Sequence, residues 1–93
     1  MSVYVDEIAV CIKNKSWPYS QACHLVSDTV DELNQFAQQL GLKQKWFQGK
    51  SLPHYDLTKG MRHKAIRQGA IEIDRDRFVQ IFRKYREKTG LLK

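Results

Sequence analysis

Residues 29–41 read TVDELNQFAQQLG and predict an amphipathic helix with a signal at each end. The hydroxyl of Thr29 can accept a hydrogen bond from the third helical backbone N–H, and Glu32 can reach back to complete a capping box. Gly41 supplies the left-handed conformation at which helices commonly end. Apolar side chains recur at helical spacing between these ends, at Val30, Leu33, Phe36, Ala37 and Leu40. This is the best-defined element that the sequence predicts.

Several segments outside this helix carry strand patterns. Residues 3–5 and 8–12 are short runs of β-formers and predict a strand or a pair of strands at the start of the chain. Residues 45–48 predict a further short strand, and residues 70–73 alternate between apolar and polar side chains as a strand does. Residues 13–20 follow no period and predict a loop.

Two further helices are predicted in the C-terminal half. Thr58 can cap the first of them, which ends at Gly69. Asp74 begins the second, which ends at Gly90. The apolar side of this last helix consists of Phe78, Val79, Phe82 and Tyr85. Its other sides are rich in arginine and lysine, so residues 75–93 are predicted to form a basic C-terminal helix.

The alternation of strands and helices predicts a single small α/β domain over residues 1–93, in which a short mixed sheet packs with about three helices. The longest apolar run, residues 8–12, is far shorter than the roughly 20 residues of a membrane helix. The N-terminal segment carries Asp6 where a signal peptide would be basic, so we expect a cytoplasmic protein. Cys11 and Cys23 match no CxxC pattern and are predicted to be free thiols.

The net charge of +6 is concentrated in the C-terminal third of the chain. Residues 61–93 contain ten basic and four acidic side chains, whereas residues 1–30 contain two basic and three acidic ones. Such an excess favours a polyanionic partner, because it steers anions to the protein and releases counterions on binding. Charge by itself specifies no particular ligand.

His54, Tyr55 and Asp56 form the triplet with the most site-like chemistry. On an extended segment His54 and Asp56 project to the same side and Tyr55 projects to the other. The histidine and the carboxylate can then converge on one ligand or metal ion, with Asp6 and His24 as further candidate metal ligands. The alternative is structural: Asp56 then lies at a helix entry, near the positive end of the dipole, and the histidines are only hydrogen-bonded. No HExxH, paired CxxC or EF-hand spacing is present.

Basic and aromatic residues flank this triplet. Lys59 and Arg62 occupy the first turns of the following helix, where the dipole and free backbone N–H groups favour phosphate; a solvated helix face is the alternative. Trp46 and Phe47 provide a surface on which a base can stack, and core packing is expected for one of the two. The lysines around this aromatic pair are Lys43, Lys45 and Lys50.

Three motifs stand out along the chain, namely VYVD at residues 3–6, HLVSDT at residues 24–29 and HYD at residues 54–56. With these motifs the chain resembles a small family of uncharacterised bacterial and phage proteins that forms a domain of unknown function. The resemblance covers about residues 2–73. The polar residues that match the family's pattern are Asp6, His24, Asp28, Trp46, His54, Tyr55, Asp56 and Arg62. The resemblance implies kinship and no particular mechanism.

The sequence supports three hypotheses about function. The first is a non-catalytic binding module for a phosphate-bearing ligand, either a nucleotide or a nucleic acid. Its predicted cleft consists of His24, Trp46, His54, Tyr55, Asp56, Lys59 and Arg62. The second is a phosphoesterase or nuclease that depends on a divalent metal ion, with candidate ligands Asp6, His24, His54 and Asp56. The third is a phage or bacterial accessory protein that binds a protein partner through residues 75–93.

Overall fold

A central strand, Gln21–Ser27, organises the sheet in a computed structural model that describes residues 2–15, 17–49 and 52–89. The strands are β1 (Val3–Val5), β2 (Ala9–Val10), β3 (Gln21–Ser27), β4 (Tyr55–Leu57) and β5 (Ile71–Glu72). The helices are α1 (Val30–Leu40), α2 (Lys59–Arg67) and α3 (Arg75–Thr89), with a 3₁₀-helix at Gln44–Trp46. The described part of the chain thus has the predicted small α/β architecture. None of the helices in that part is both long and apolar enough to cross a membrane.

The sheet is mixed, because β3 pairs antiparallel with β1, β2 and β4, whereas β5 pairs parallel with β1. In the pairing of β3 with β4, His24 lies opposite Asp56 and Leu25 lies opposite Tyr55. Directly opposed residues of an antiparallel pair point to the same face of a sheet. This register therefore places His24 and Asp56 together on one face, and Leu25 and Tyr55 together on the other.

The face that carries Leu25 packs against α1 and α2. The strands contribute the fully buried side chains of Val5, Leu25 and Leu57, and the two helices contribute Leu33 and Ala65. Full burial of one large aliphatic side chain stabilises a protein by about 1.5–3 kcal/mol. This face therefore contains the larger of the two apolar clusters and leaves the opposite face available for polar groups.

The opposite face of the sheet packs in part against α3. Tyr4, Val26 and Leu52 are buried there. The side chains that α3 packs against them are Phe78, Ile81, Phe82 and Tyr85. The prediction that Val79 belongs to this apolar side is wrong, since Val79 is 42% exposed. The predicted end of the helix at Gly90 lies outside the described residues.

The predicted caps of the first two helices are confirmed. The Thr29 hydroxyl accepts the Glu32 backbone N–H at 3.2 Å and donates to the Glu32 carboxylate at 3.1 Å. Gly41 ends α1 with a φ of 92°, in the left-handed region. The Thr58 hydroxyl accepts the Met61 backbone N–H at 3.2 Å and begins α2. Each N-cap of this kind stabilises a helix by about 1 kcal/mol.

Residues 45–48 do not form the predicted strand. Gln44–Trp46 is a 3₁₀-helix, because its last backbone N–H donates three residues back, to the Lys43 carbonyl at 2.9 Å. Gln48 then pairs with His54 in an isolated antiparallel bridge. The local hydrogen bonds turn the chain at this point, and Gln48 is brought beside the triplet at residues 54–56.

The two cysteines are free thiols, as predicted, and differ in exposure. Cys23 is 1% exposed, and burial raises its pKa to about 12, whereas Cys11 is partly exposed. At pH 8 only about one Cys23 thiol in 10⁴ is then the reactive thiolate. We expect a thiol reagent to modify one cysteine in the folded protein and both after denaturation, as measured by mass spectrometry. Rapid modification of Cys23 in the folded protein would contradict the burial of β3.

Candidate functional site

Two histidines and a carboxylate meet on the sheet face that α3 covers only in part. His24 lies on β3 directly opposite Asp56 of β4, and His54 precedes Asp56 by two residues, so all three side chains project to this face. The imidazole rings of His24 and His54 lie edge to face, with centroids 5.1 Å apart and planes at 74°. The predicted convergence of His54 and Asp56 on one side is confirmed, and the register adds His24 to them.

Each histidine uses its Nδ1 atom for a hydrogen bond within the protein. His24 Nδ1 lies 2.7 Å from the Asp6 carboxylate, and His54 Nδ1 lies 2.8 Å from the Leu52 carbonyl oxygen. A carbonyl and an ionised carboxylate only accept hydrogen bonds, so both Nδ1 atoms carry the proton. In the neutral form of each ring, Nε2 then keeps the free lone pair.

The ligand atoms offered by His24, His54 and Asp56 lie within 4.8 Å of one another. His54 Nε2 is 3.5 Å from Asp56 Oδ1. Ligands bound at about 2.0–2.1 Å in a tetrahedral centre lie roughly 3.3 Å apart, so small side-chain rotations bring the three atoms to bonding distance. Imidazole together with carboxylate suits zinc and other divalent transition metals, and three protein ligands leave a coordination position open.

The second oxygen of Asp56 and the ring face of His24 are held by neighbours outside this trio. Gln48 Nε2 donates a hydrogen bond to Asp56 Oδ2, which leaves Oδ1 directed toward His54. Phe78 of α3 stacks on the His24 ring with centroids 5.1 Å apart and planes at 27°. These two contacts restrict the positions of the Asp56 carboxylate and the His24 ring within the group of three candidate ligands.

The electrostatics of the cluster favour positive charge. Burial opposes the charged imidazole of His54, but the hydrogen bonds to Asp56 and the Leu52 carbonyl outweigh it and raise the pKa of His54 above 6.5. The hydrogen bond from His54, with a further one from Gln48, holds the pKa of Asp56 below its usual range despite its burial. The side chain of His24 is 42% exposed, so the cluster is open to solvent on one side.

Asp6 was predicted as a metal ligand, and the structure gives it a different position. One of its carboxylate oxygens accepts the His24 backbone N–H at 2.6 Å, and the other contacts His24 Nδ1 at 2.7 Å. Both oxygens are thus engaged with His24, and the side chain is only 13% exposed. Asp6 orients a candidate ligand and is not grouped with the three ligand atoms.

Tyr55 and Arg62 do not join the predicted cleft. Tyr55 is 2% exposed on the other face of the sheet, where its hydroxyl donates to Asn34 at 2.7 Å, so the prediction that it lines a cleft with the two histidines is wrong. The Arg62 guanidinium donates to the Asp6 backbone carbonyl at 2.8 Å and to Glu72 at 3.3 Å. These hydrogen bonds tie α2 to β5 and to the residue after β1, so Arg62 has partners within the protein where a phosphate was predicted.

Lys59 also lies apart from the histidines. It is exposed at the start of α2 and lines a shallow groove with Pro18 and Tyr19. The predicted residues therefore do not form a single cleft. His24, His54 and Asp56 lie together on one face of the sheet, and the basic residues of α2 lie on the other.

The prediction that one residue of the pair Trp46 and Phe47 packs in the core is confirmed. Phe47 packs against the core, with its ring 5.7 Å from that of Tyr55. Trp46 is 47% exposed, and Lys43 Nζ lies 5.6 Å from its ring centroid. The third lysine of the predicted positive rim, Lys50, lies outside the described residues.

Sequence reasoning missed three groups that shape the site, namely Gln48, the Leu52 carbonyl and Phe78. Phe78 contacts His24 only because α3 crosses the sheet, so no local pattern could identify it. Gln48 and Leu52 come shortly before His54 in the chain, and a predicted strand over residues 45–48 gives no indication of the bridge between Gln48 and His54.

The family of the chain follows from comparison with known proteins. Residues 3–85 match the family model described as protein of unknown function (DUF4031). Searches of curated proteins and of solved structures return no significant match. What the site does must therefore be inferred from its own geometry.

Proposed function

The chain belongs to the DUF4031 family, whose description gives no activity, and we propose that it binds a divalent transition-metal ion at His24, His54 and Asp56 and hydrolyses a phosphoester there. The observation that carries this proposal is the hydrogen bonding of the two histidines. Each ring has its Nδ1 on an oxygen acceptor, His54 Nε2 lies 3.5 Å from Asp56 Oδ1, and His24 offers a ring nitrogen within 4.8 Å of the ligand atoms of the other two residues.

The surroundings of His24 support a metal centre rather than a purely structural histidine. Metal-bound histidines commonly donate their second N–H to a carboxylate or a backbone carbonyl, which fixes the ring and raises its basicity. Asp6 is such a carboxylate for His24, and the Leu52 carbonyl is the equivalent acceptor for His54. Asp6 and Asp56 together supply the negative charge that a cation needs.

The number of ligands supports catalysis. Structural zinc sites are usually closed by four protein ligands, whereas catalytic sites have three and keep a position for water. A metal ion held by His24, His54 and Asp56 would lower the pKa of a bound water and so supply hydroxide near neutral pH. Hydrolysis would consume that one water: its hydroxide would replace the leaving oxygen on phosphorus, and its proton would go to the leaving oxygen. The net charge of +6 favours an anionic substrate.

This proposal is the second of the three functions considered from the sequence, and it keeps the phosphate-bearing ligand of the first. A non-catalytic cleft that combines Tyr55, Arg62 and the histidines has no geometric support, because these side chains lie on different faces or have other partners. A protein partner at the basic helix α3 is compatible with the metal centre and is a separate question.

Calorimetric titration of Zn²⁺ into metal-free protein tests the proposal. We expect one ion per chain, and a loss of at least about 100-fold in affinity in His24→Ala and in His54→Ala, since each removes a ligand. His63 is exposed on α2 and provides the matched control, because His63→Ala removes an imidazole outside the cluster. Equal affinity in all three variants, or no binding by the unaltered protein, would exclude this metal centre.

Hydrolysis is tested on the same protein with bis(p-nitrophenyl) phosphate. We expect release of p-nitrophenolate that depends on added Zn²⁺ or Mn²⁺ and is lost in His54→Ala. Thermal melting of each variant verifies that the fold is retained. Tight metal binding by protein that cleaves neither this diester nor p-nitrophenyl phosphate would contradict the catalytic part of the proposal while leaving the metal centre in place.

A further inference from the structure

A groove on the surface adjoins the cluster of His24, His54 and Asp56. It has a volume of about 680 Å³, within the roughly 300–1,000 Å³ of typical small-molecule sites. Asp56, which belongs to the cluster, and Gln48, which donates a hydrogen bond to Asp56 Oδ2, form part of its wall. A ligand that reaches the metal at Asp56 can therefore extend directly into this groove.

The lining of the groove is aromatic and apolar. Both tryptophans of the chain, Trp17 and Trp46, line it, together with Tyr19 and Met61. Tyr19 and Trp46 are 48% and 47% exposed and line the same groove, and adjoining exposed apolar side chains of this kind are typical of binding surfaces. Trp17 and Tyr19 pack edge to face with ring centroids 5.0 Å apart, so the loop presents a fixed aromatic wall.

The charges around the groove are mainly positive. Lys45 lines it, and Lys43 lies against the Trp46 ring at 5.6 Å from the centroid. Asp56 is the one carboxylate in the described lining, and it lies at the end shared with the cluster. Exposed aromatic rings with a lysine rim are the combination that stacks nucleobases and holds the adjoining phosphate.

We propose that this groove binds the base and sugar of a nucleoside phosphate whose phosphate lies at the His24, His54 and Asp56 metal centre. The inference rests on the proposed function and specifies its substrate class. Trp46 stacks on the base, because it is the more exposed tryptophan and has a lysine beside its ring. Lys45, which lines the groove, supplies positive charge that attracts the anionic ligand.

Tryptophan fluorescence reports on ligand binding in the groove. Because both of them line it, the whole tryptophan emission of the protein is sensitive to a ligand there. We expect AMP to change the emission of Zn²⁺-loaded protein saturably. Ribose 5-phosphate, which has the phosphate but no base, is expected to leave the emission unchanged at the same concentration. The excitation wavelength is chosen at the red edge of tryptophan absorption, where adenine does not absorb.

Calorimetry on variants locates the base. Trp46→Ala is expected to weaken AMP binding by about 5- to 100-fold, the range for removal of one base-stacking ring. Trp46→Phe keeps a ring and retains most of the affinity. Val79→Ala, at an exposed apolar position on α3, is the control and leaves AMP binding unchanged. All three variants are expected to bind Zn²⁺ like the unaltered protein, since none touches a candidate ligand.

The outcomes separate this inference from the function on which it rests. If the protein binds Zn²⁺ but binds AMP no better than ribose 5-phosphate, or if Trp46→Ala has no effect, the groove does not bind the base and the metal centre stands. If titration with Zn²⁺ alone shows no binding, the proposed function fails and this inference fails with it.

Discussion

Replacing Asp6 with asparagine is expected to weaken Zn²⁺ binding by about 10- to 100-fold, the range found for hydrogen-bond partners of metal ligands. Asp6 holds both the backbone N–H and Nδ1 of His24. An asparagine that keeps its oxygen on the backbone N–H presents its amide hydrogens to Nδ1, which must then act as the acceptor. The ring proton moves to Nε2 and blocks the lone pair that binds the metal.

The matched control for this substitution is Asp28→Asn, measured by the same calorimetric titration. Asp28 also joins the β1 and β3 segments, since it accepts the Ser2 backbone N–H at 3.1 Å and the Tyr4 hydroxyl at 3.3 Å. It has no contact with the histidines, so Asp28→Asn is expected to bind Zn²⁺ like the unaltered protein. Equal affinity in the Asp6 and Asp28 variants would contradict the orienting role of Asp6.

Deleting residues 75–93 is expected to unfold the protein rather than to remove a separable binding surface. The deletion exposes Tyr4, Val26 and Leu52 and removes the apolar side chains that α3 packs against them. Burial of each large apolar side chain contributes up to about 1.5–3 kcal/mol, and a small domain is stable by only about 5–15 kcal/mol in total. Circular dichroism during urea denaturation measures the loss.

The charge of α3 is tested without this loss of stability by the double substitution Arg83→Glu and Lys84→Glu. Both side chains are exposed, so the double variant is expected to melt within a few degrees of the unaltered protein. Any partner that recognises the basic helix loses affinity for this variant.

The deletion of residues 75–93 has an outcome that would contradict its prediction. A truncated chain that keeps a cooperative transition near that of the full chain would show that α3 is not part of the fold.

The helices could be predicted because their signals are local. Thr29, Gly41 and Thr58 each make the cap that the sequence indicates. The central strand β3 could not be predicted in the same way, although it organises the sheet. Its alternation is obscured because His24 and Val26 face the same side, where His24 belongs to the group with His54 and Asp56 and Val26 is buried under α3.

The sequence predicted only the part of the site that lies on a single extended segment. The spacing of His54 and Asp56 places them on one side and Tyr55 on the other, and the structure agrees. Including Tyr55 in the same cleft contradicted that spacing. The position of His24 depends on the register between β3 and β4, which is a long-range pairing that no local pattern encodes.

The wrong prediction for the basic residues of α2 has a related physical cause. Lys59 and Arg62 follow Asp56 closely in sequence, and the prediction took them to be neighbours in space. The chain turns at Thr58 and lays α2 on the opposite face of the sheet, where Met61, Ala65 and Ile66 join the core. The Arg62 guanidinium donates to the Asp6 backbone carbonyl rather than to a group of His24, His54 or Asp56.

A crystal structure of the Zn²⁺-loaded protein, with anomalous diffraction recorded above and below the zinc edge, tests the central claim most directly. We predict one strong anomalous peak at about 2.0–2.2 Å from Nε2 of His24, Nε2 of His54 and a carboxylate oxygen of Asp56, with Asp6 still on Nδ1 of His24. A crystal soaked at saturating Zn²⁺ that shows no peak there, or shows zinc only at exposed groups such as His63, would contradict it.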